Sequence, residues 1–151
     1  EHLGESILLG AGTVLSAEQV EEARSHGADY IISPNVDMAV IQRTKELGMI
    51  SIPGALTPTE VAAAYYAGAD VVKLFPAGVW GTDYIKAIHA PLAHIPVMAV
   101  GNVGIENIKA FFRAGVCCAG IGSNLVNAEK VKKGEFDSIT EYARGLKEQL
   151  A

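Results

Sequence analysis

One lysine in this 151-residue chain stands apart from the other seven. Lys73 lies in Val71-Val72-Lys73-Leu74-Phe75-Pro76, a run with no other charge. Lysines 45, 86, 109, 130, 132, 133 and 147 fall on predicted helices or in the polar loop after Val126. Extended chain alternates its faces, so residues 71, 73 and 75 point one way and 72 and 74 the other. With Val72 and Leu74 packed under helices, Lys73 and Phe75 point together into the mouth of the fold. An ammonium among apolar walls gives up its proton more easily, and the neutral amine can attack a ketone to form a Schiff base. The alternative is a lysine that snorkels to solvent or pairs with a carboxylate such as Asp70.

Two glycine-rich phrases form a second constellation, Val100-Gly101-Asn102-Val103-Gly104 and Gly120-Ile121-Gly122-Ser123-Asn124. Each follows an apolar run. Backbone N–H groups in such turns, helped by a helix N-terminus, hold a phosphate without any basic patch. The plainer alternative is that these glycines only turn the chain. Gly10-Ala11-Gly12-Thr13 and Gly120-Ile121-Gly122 both lack the three-glycine spacing of a dinucleotide site, so no nicotinamide cofactor is expected. Thr13, Ser33-Pro34-Asn35 and Pro53-Gly54 end three further apolar runs, where ordinary turn chemistry competes with a binding role. His2, His26, His89 and His94 are scattered without ligand spacing, and no metal site is expected from them. The adjacent Cys117 and Cys118 read as buried small strand residues, and Trp80 and Tyr84 as packing groups.

The elements that must position these residues repeat in a regular beat. The apolar runs Ile7–Val14, Tyr30–Ser33, Ile50–Pro53, Val71–Phe75, Pro96–Val100 and Cys117–Ile121 are short and rich in Ile and Val, as in a parallel sheet covered on both faces. Between them lie amphipathic segments. One opens on Ser16 and stops near Gly27. A second opens on Thr57-Pro58-Thr59-Glu60 and stops at Gly68. Others span Asn107–Ala114 and Phe136–Leu150. Alternation of strand and helix predicts α/β architecture with right-handed crossovers. Six consecutive units favour a (β/α)8 TIM barrel over an open sheet, although a closed barrel needs eight. Either the chain is a smaller doubly wound fold, or two units are missing from one end. Ile7 opens a strand almost at once, so the loss would fall at the amino terminus. The chain would then be a single domain, residues 1–151, supplying the C-terminal six βα units and lacking the first two.

Composition narrows the partners. Half the residues are hydrophobic and 19% are charged, with a net charge of −5, which fits a packed domain and gives no basic footprint for nucleic acid. No apolar stretch is long enough to span a membrane. No charged-then-apolar signal opens the sequence, and the cysteine usage predicts a reduced, cytoplasmic protein.

Taken in order, Gly10-Ala11-Gly12-Thr13-Val14, Ile32-Ser33-Pro34-Asn35, Ile52-Pro53-Gly54, Lys73-Leu74-Phe75-Pro76-Ala77 and Gly122-Ser123 resemble the 2-keto-3-deoxy-6-phosphogluconate / 4-hydroxy-2-oxoglutarate aldolase family. The resemblance covers essentially the whole chain. Each motif is weak alone, and the ordered set is specific. It implies a (β/α)8 barrel, usually trimeric, and a metal-free retro-aldol reaction needing no cofactor. Lys73 would be the Schiff-base lysine, with Phe75 beside it and Thr13 on the pyruvate carboxylate. Pro34 and Pro53 would line the pocket, and Gly101, Asn102, Gly122 and Ser123 would hold the phosphate. The implied substrate is 2-keto-3-deoxy-6-phosphogluconate, cleaved to pyruvate and glyceraldehyde 3-phosphate. The phosphogalactonate and 4-hydroxy-2-oxoglutarate substrates share these motifs.

There are two departures from the family pattern. The family's first two strand–helix units, with a proton-moving glutamate and a carboxylate-binding arginine on the second strand, have no counterpart here. Its Thr-Gly-Gly at the phosphate loop reads Val100-Gly101-Asn102, which bears on phosphate affinity or substrate choice. Two other readings remain beside the aldolase: a phosphate-binding isomerase or synthase that uses Lys73 only electrostatically, and a non-catalytic sugar-phosphate-binding barrel.

Overall fold

A computed structural model describes residues 7–150. Short strands alternate with helices along them: β1 (Gly10–Gly12), α1 (Ala17–Ser25), β2 (Tyr30–Ile32), α2 (Met38–Glu46), β3 (Ile50–Ile52), β4 (Gly54–Ala55), α3 (Pro58–Tyr66), β5 (Val72–Leu74), α4 (Ala77–His89), β6 (Val97–Val100), α5 (Ile108–Arg113), β7 (Cys118–Gly120), α6 (Ala128–Lys132) and α7 (Phe136–Leu150). Every apolar run expected to be a strand contains one. Pro53, the last residue of one run, has no N–H to give a ladder, so β3 stops at Ile52, and beyond the run a two-residue strand, β4, forms at Gly54.

The helices start where their capping chemistry says they should. The Ser16 side chain accepts from the Gln19 N–H at 3.4 Å, and Asp37 accepts from Ala39 and Val40 at 2.9 and 3.1 Å. Thr57 and Glu60 form a reciprocal capping box, and the Glu60 carboxylate also accepts from the Leu56 N–H at 3.0 Å. Gly27, Gly68 and Gly115 close three helices with φ of 87°, 107° and 109°, left-handed values that a side chain would resist. Residues 128–132, expected to be loop, instead form α6, because Asn127 caps the Glu129 and Lys130 N–H groups.

The chain divides into two compact units. The first runs up to Lys73 and includes His94–Pro96; the second comprises Leu74–Ala93 and the chain from Val97 on. In the first unit β1, β2 and β3 pair in parallel, with Gly10, Tyr30 and Ile50 in register. Its core gathers Val14, Val20, Ala28, Ile31, Val40 and Met49, all 4% exposed or less. The N–H groups of Val72 and Lys73 donate to the Pro96 and Pro53 carbonyls, both at 2.9 Å. In the second unit β6 and β7 pair in parallel, with Met98 opposite Cys118 and Val100 opposite Gly120. Gly81, at φ 76° and ψ 178°, breaks α4 near its middle.

Hydrogen bonds from the Thr57 and Leu56 backbone N–H groups hold the Glu60 carboxyl below its usual range. A carboxylate held low in the folded state stabilises it above the unfolded value and loses that contribution as pH falls through the folded one. Glu60→Ala is expected to cost about 1 kcal/mol near neutral pH. Urea unfolding should show that difference shrinking once pH drops below 4.5.

Candidate functional site

In the first unit Lys73 is the middle residue of β5 and only 8% exposed, between Val72 at 0% and Leu74 at 2%. Among the described residues it is the only buried residue that carries a formal charge when ionised. Burial lowers its pKa from the ordinary 10.5, because the ammonium loses hydration on leaving water. Asp70, named above as an alternative partner, bonds Lys45 and Ser51. Both its oxygens accept from Lys45 Nζ at 2.7 Å, and Oδ2 also accepts from the Ser51 N–H at 2.8 Å.

The strand ends around this unit are tightly built. Pro53 is buried and accepts from the Lys73 N–H, and Gly54 allows the Pro34 carbonyl to approach where a Cβ would otherwise stand. Ser33 is buried and donates through Oγ to the Val14 carbonyl at 2.7 Å, linking the ends of two neighbouring strands. Thr13 lies just past β1, exposed, at φ 62°. A β-branched residue in left-handed backbone is uncommon, and such strain clusters at binding sites.

In the second unit the two glycine-rich turns come together. Residues 100–103 on one side, with Gly120 and residues 122–124 on the other, enclose a cavity of about 140 Å³. The predicted Gly101, Asn102, Gly122 and Ser123 all line it. Val103 and Asn124 line it too and were not singled out; the signal was Asn124 within Gly120-Ile121-Gly122-Ser123-Asn124. The backbone N–H groups of Asn102, Val103, Ser123 and Asn124 donate to no acceptor among the described residues. Val103, which carries one of them, is only 2% exposed.

The first turn is left-handed at both Gly101 (φ 96°) and Asn102 (φ 53°). The start of α4 presses against it: Gly78 donates to the Gly101 carbonyl at 2.8 Å, and a Cβ on Gly78 would come within 2.6 Å of Asn102 Cβ. Phe75 lies just beyond β5 and is 39% exposed; its ring edge and Pro76 bound the space beside Gly101. Two further expectations look different in the structure. Cys117 is exposed, because it precedes β7, and its thiol lies 3.7 Å from that of Cys118. Trp80 is 51% exposed and stacks on Tyr84 at 5.3 Å instead of packing inward. Among the described residues no helix is long and apolar enough to cross a membrane.

These elements combine parallel α/β architecture with a lysine buried on a strand and, separately, a small cavity between two glycine-rich turns. The chain belongs to the family described as "Aldolase: KDPG and KHG aldolase", whose family model matches residues 2–142. It is 44% identical over 148 residues to a 2-dehydro-3-deoxy-6-phosphogalactonate aldolase of Escherichia coli, covering 97% of this chain and 72% of that one. A solved "Native KDPGal structure" superposes with a TM-score of 0.88 at 37% identity, over 99% of this chain and 73% of the other. A KDPG aldolase from Legionella pneumophila, solved with pyruvate captured as a covalent carbinolamine intermediate, gives a TM-score of 0.85 at 26% identity. That match covers 93% of this chain and 68% of the other. Of several curated aldolases at 32–33% identity the chain spans 65–66%, just under two thirds.

Because burial depresses the Lys73 pKa, the unfolded chain binds more protons than the folded one between that depressed value and 10.5. Native stability should therefore carry a penalty at neutral pH that lifts as pH rises through this window. Lys73→Met is expected to unfold at higher urea than the unaltered protein near pH 7. The gap between their midpoints should narrow by about pH 10.

Proposed function

We propose that the protein is a class I aldolase that cleaves a 2-keto-3-deoxy-6-phospho sugar acid through a Schiff base on Lys73. The observation that carries this is a lysine only 8% exposed in the middle of an otherwise apolar strand. The neutral fraction of such an amine rises as its pKa falls, and only the neutral form is a nucleophile. A phosphorylated keto acid offers a ketone for that amine and an anion for the amide-lined cavity of about 140 Å³.

The chemistry follows from these groups. The Lys73 lone pair adds to the C2 carbonyl to give a carbinolamine, and loss of water leaves an iminium. A base removes the proton of the C4 hydroxyl, the C3–C4 bond breaks, and its electron pair passes into the iminium as an enamine. Glyceraldehyde 3-phosphate departs. Protonation at C3 and addition of water then release pyruvate and restore the amine. No residue of this chain is assigned as the base. Thr13 binds the pyruvate carboxylate, Pro34, Pro53 and Phe75 wall the pocket, and Gly101, Asn102, Gly122 and Ser123 hold the phosphate. The pyruvate carbinolamine of the Legionella relative supports this covalent route.

The two C4 epimers differ in support. The relative at 44% identity is named for phosphogalactonate and those at 32–33% for phosphogluconate, which favours the galactonate epimer as preferred substrate. The family resemblance implies a (β/α)8 barrel and a homotrimer, and both belong to this proposal.

Incubation with pyruvate and borohydride is expected to add one reduced pyruvate to the peptide containing Lys73, and Lys73→Arg to abolish it. Turnover in Lys73→Arg should fall on the order of a thousandfold or more. An unmodified Lys73, or full turnover in Lys73→Arg, would favour a non-covalent role. Comparing kcat/KM on the two epimers decides the substrate.

A further inference from the structure

Asn107 occupies the N-cap position of α5 but does not cap it: its side chain makes no bond to the first turn of that helix. Asparagine is among the best N-cap residues, so this amide has been diverted from the bond it would ordinarily make. Oδ1 accepts from the Gly104 N–H at 2.9 Å, and Nδ2 donates to the Asn102 carbonyl at 2.9 Å. One planar amide thus spans residues 102–104, the segment carrying the unpaired N–H groups of Asn102 and Val103.

That segment needs an external restraint. Gly101 and Asn102 are both left-handed; the Gly101 carbonyl accepts from Gly78 and the Gly104 carbonyl from Asn107 and Ile108, while between these anchors the Asn102 and Val103 N–H groups donate to no acceptor among the described residues. Around the clasp, Tyr142 Oη accepts from the Ile105 N–H at 3.2 Å, and Asn124 Nδ2 donates to the Val103 carbonyl at 2.9 Å. Asn107 itself does not line the cavity. It holds the turn from behind.

We infer that Asn107 is a positioning residue that aims the residue 102–103 amides at the phosphate, so that phosphate affinity depends on a side chain that never touches the ligand. The inference rests on the phosphate-binding role given above. Separate amides must converge on one anion, and a turn free to relax out of its left-handed geometry would lose that convergence and with it much of the affinity.

Serine at this position separates the two roles the residue can have. It caps a helix about as well as asparagine but is too short to bridge Asn102 and Gly104. Asn107→Ser and Asn107→Ala would be compared with the unaltered protein for inorganic phosphate affinity, followed by amide NMR shifts at Asn102 and Ser123, and for KM. Both variants are expected to weaken phosphate about tenfold, and to raise KM for the phosphorylated sugar acid equally, with kcat within about twofold. KM for the unphosphorylated 4-hydroxy-2-oxoglutarate should not move. Should Asn107→Ala fail to fold, Asn107→Ser carries the test alone. Asn107→Ser with unchanged phosphate affinity, or an equal KM change on both substrates, overturns the inference. Pyruvate trapping at Lys73 is scored separately: its failure would remove the aldolase chemistry while the phosphate titration still reports on the clasp.

Discussion

Removing one ammonium group from water is the constraint that the rest of the structure is arranged to bear. Exposed lysines are ordinary, and a buried one without compensation costs several kcal/mol unless it gives up its proton. Lys73 sits where neighbours on either side are fully buried, and Asp70, close in sequence, is bound by Lys45 instead. Burial pushes the Lys73 pKa down.

The anion cavity solves the opposite problem. Under the proposed function a chain with net charge −5 would attract a phosphate without a basic patch, and amide N–H groups at the glycine-rich turns would do so by direction instead of net charge. Direction demands rigidity. Gly78 packed on the Gly101–Asn102 turn, Asn124 bridging to Val103 and Asn107 clasping residues 102–104 all supply it.

Much of this was legible in the sequence because it is local. Strands announce themselves as apolar runs, and Ser16, Thr57 with Glu60, and the Gly27, Gly68 and Gly115 stops are signals written within a few residues. Lys73 was conspicuous by charge contrast alone. What escaped notice depended on geometry or on competing local bonds. A second short strand, β4, follows directly after Pro53, and Asn127 draws a polar stretch into α6. Cys117 looked like a strand residue yet precedes β7 and is exposed. Asn107 was legible as a helix start, but nothing in the sequence tells that its amide faces backward into a turn.

The account stands on the charge state of one nitrogen. Selective ¹⁵N labelling of lysine side chains, with Lys73→Met to assign the resonance, allows the Lys73 amine to be titrated directly. The account requires a midpoint clearly below the ordinary 10.5, moving out of the amine range when pyruvate is added. A Lys73 midpoint at or above 10.5, unchanged by pyruvate, would contradict it.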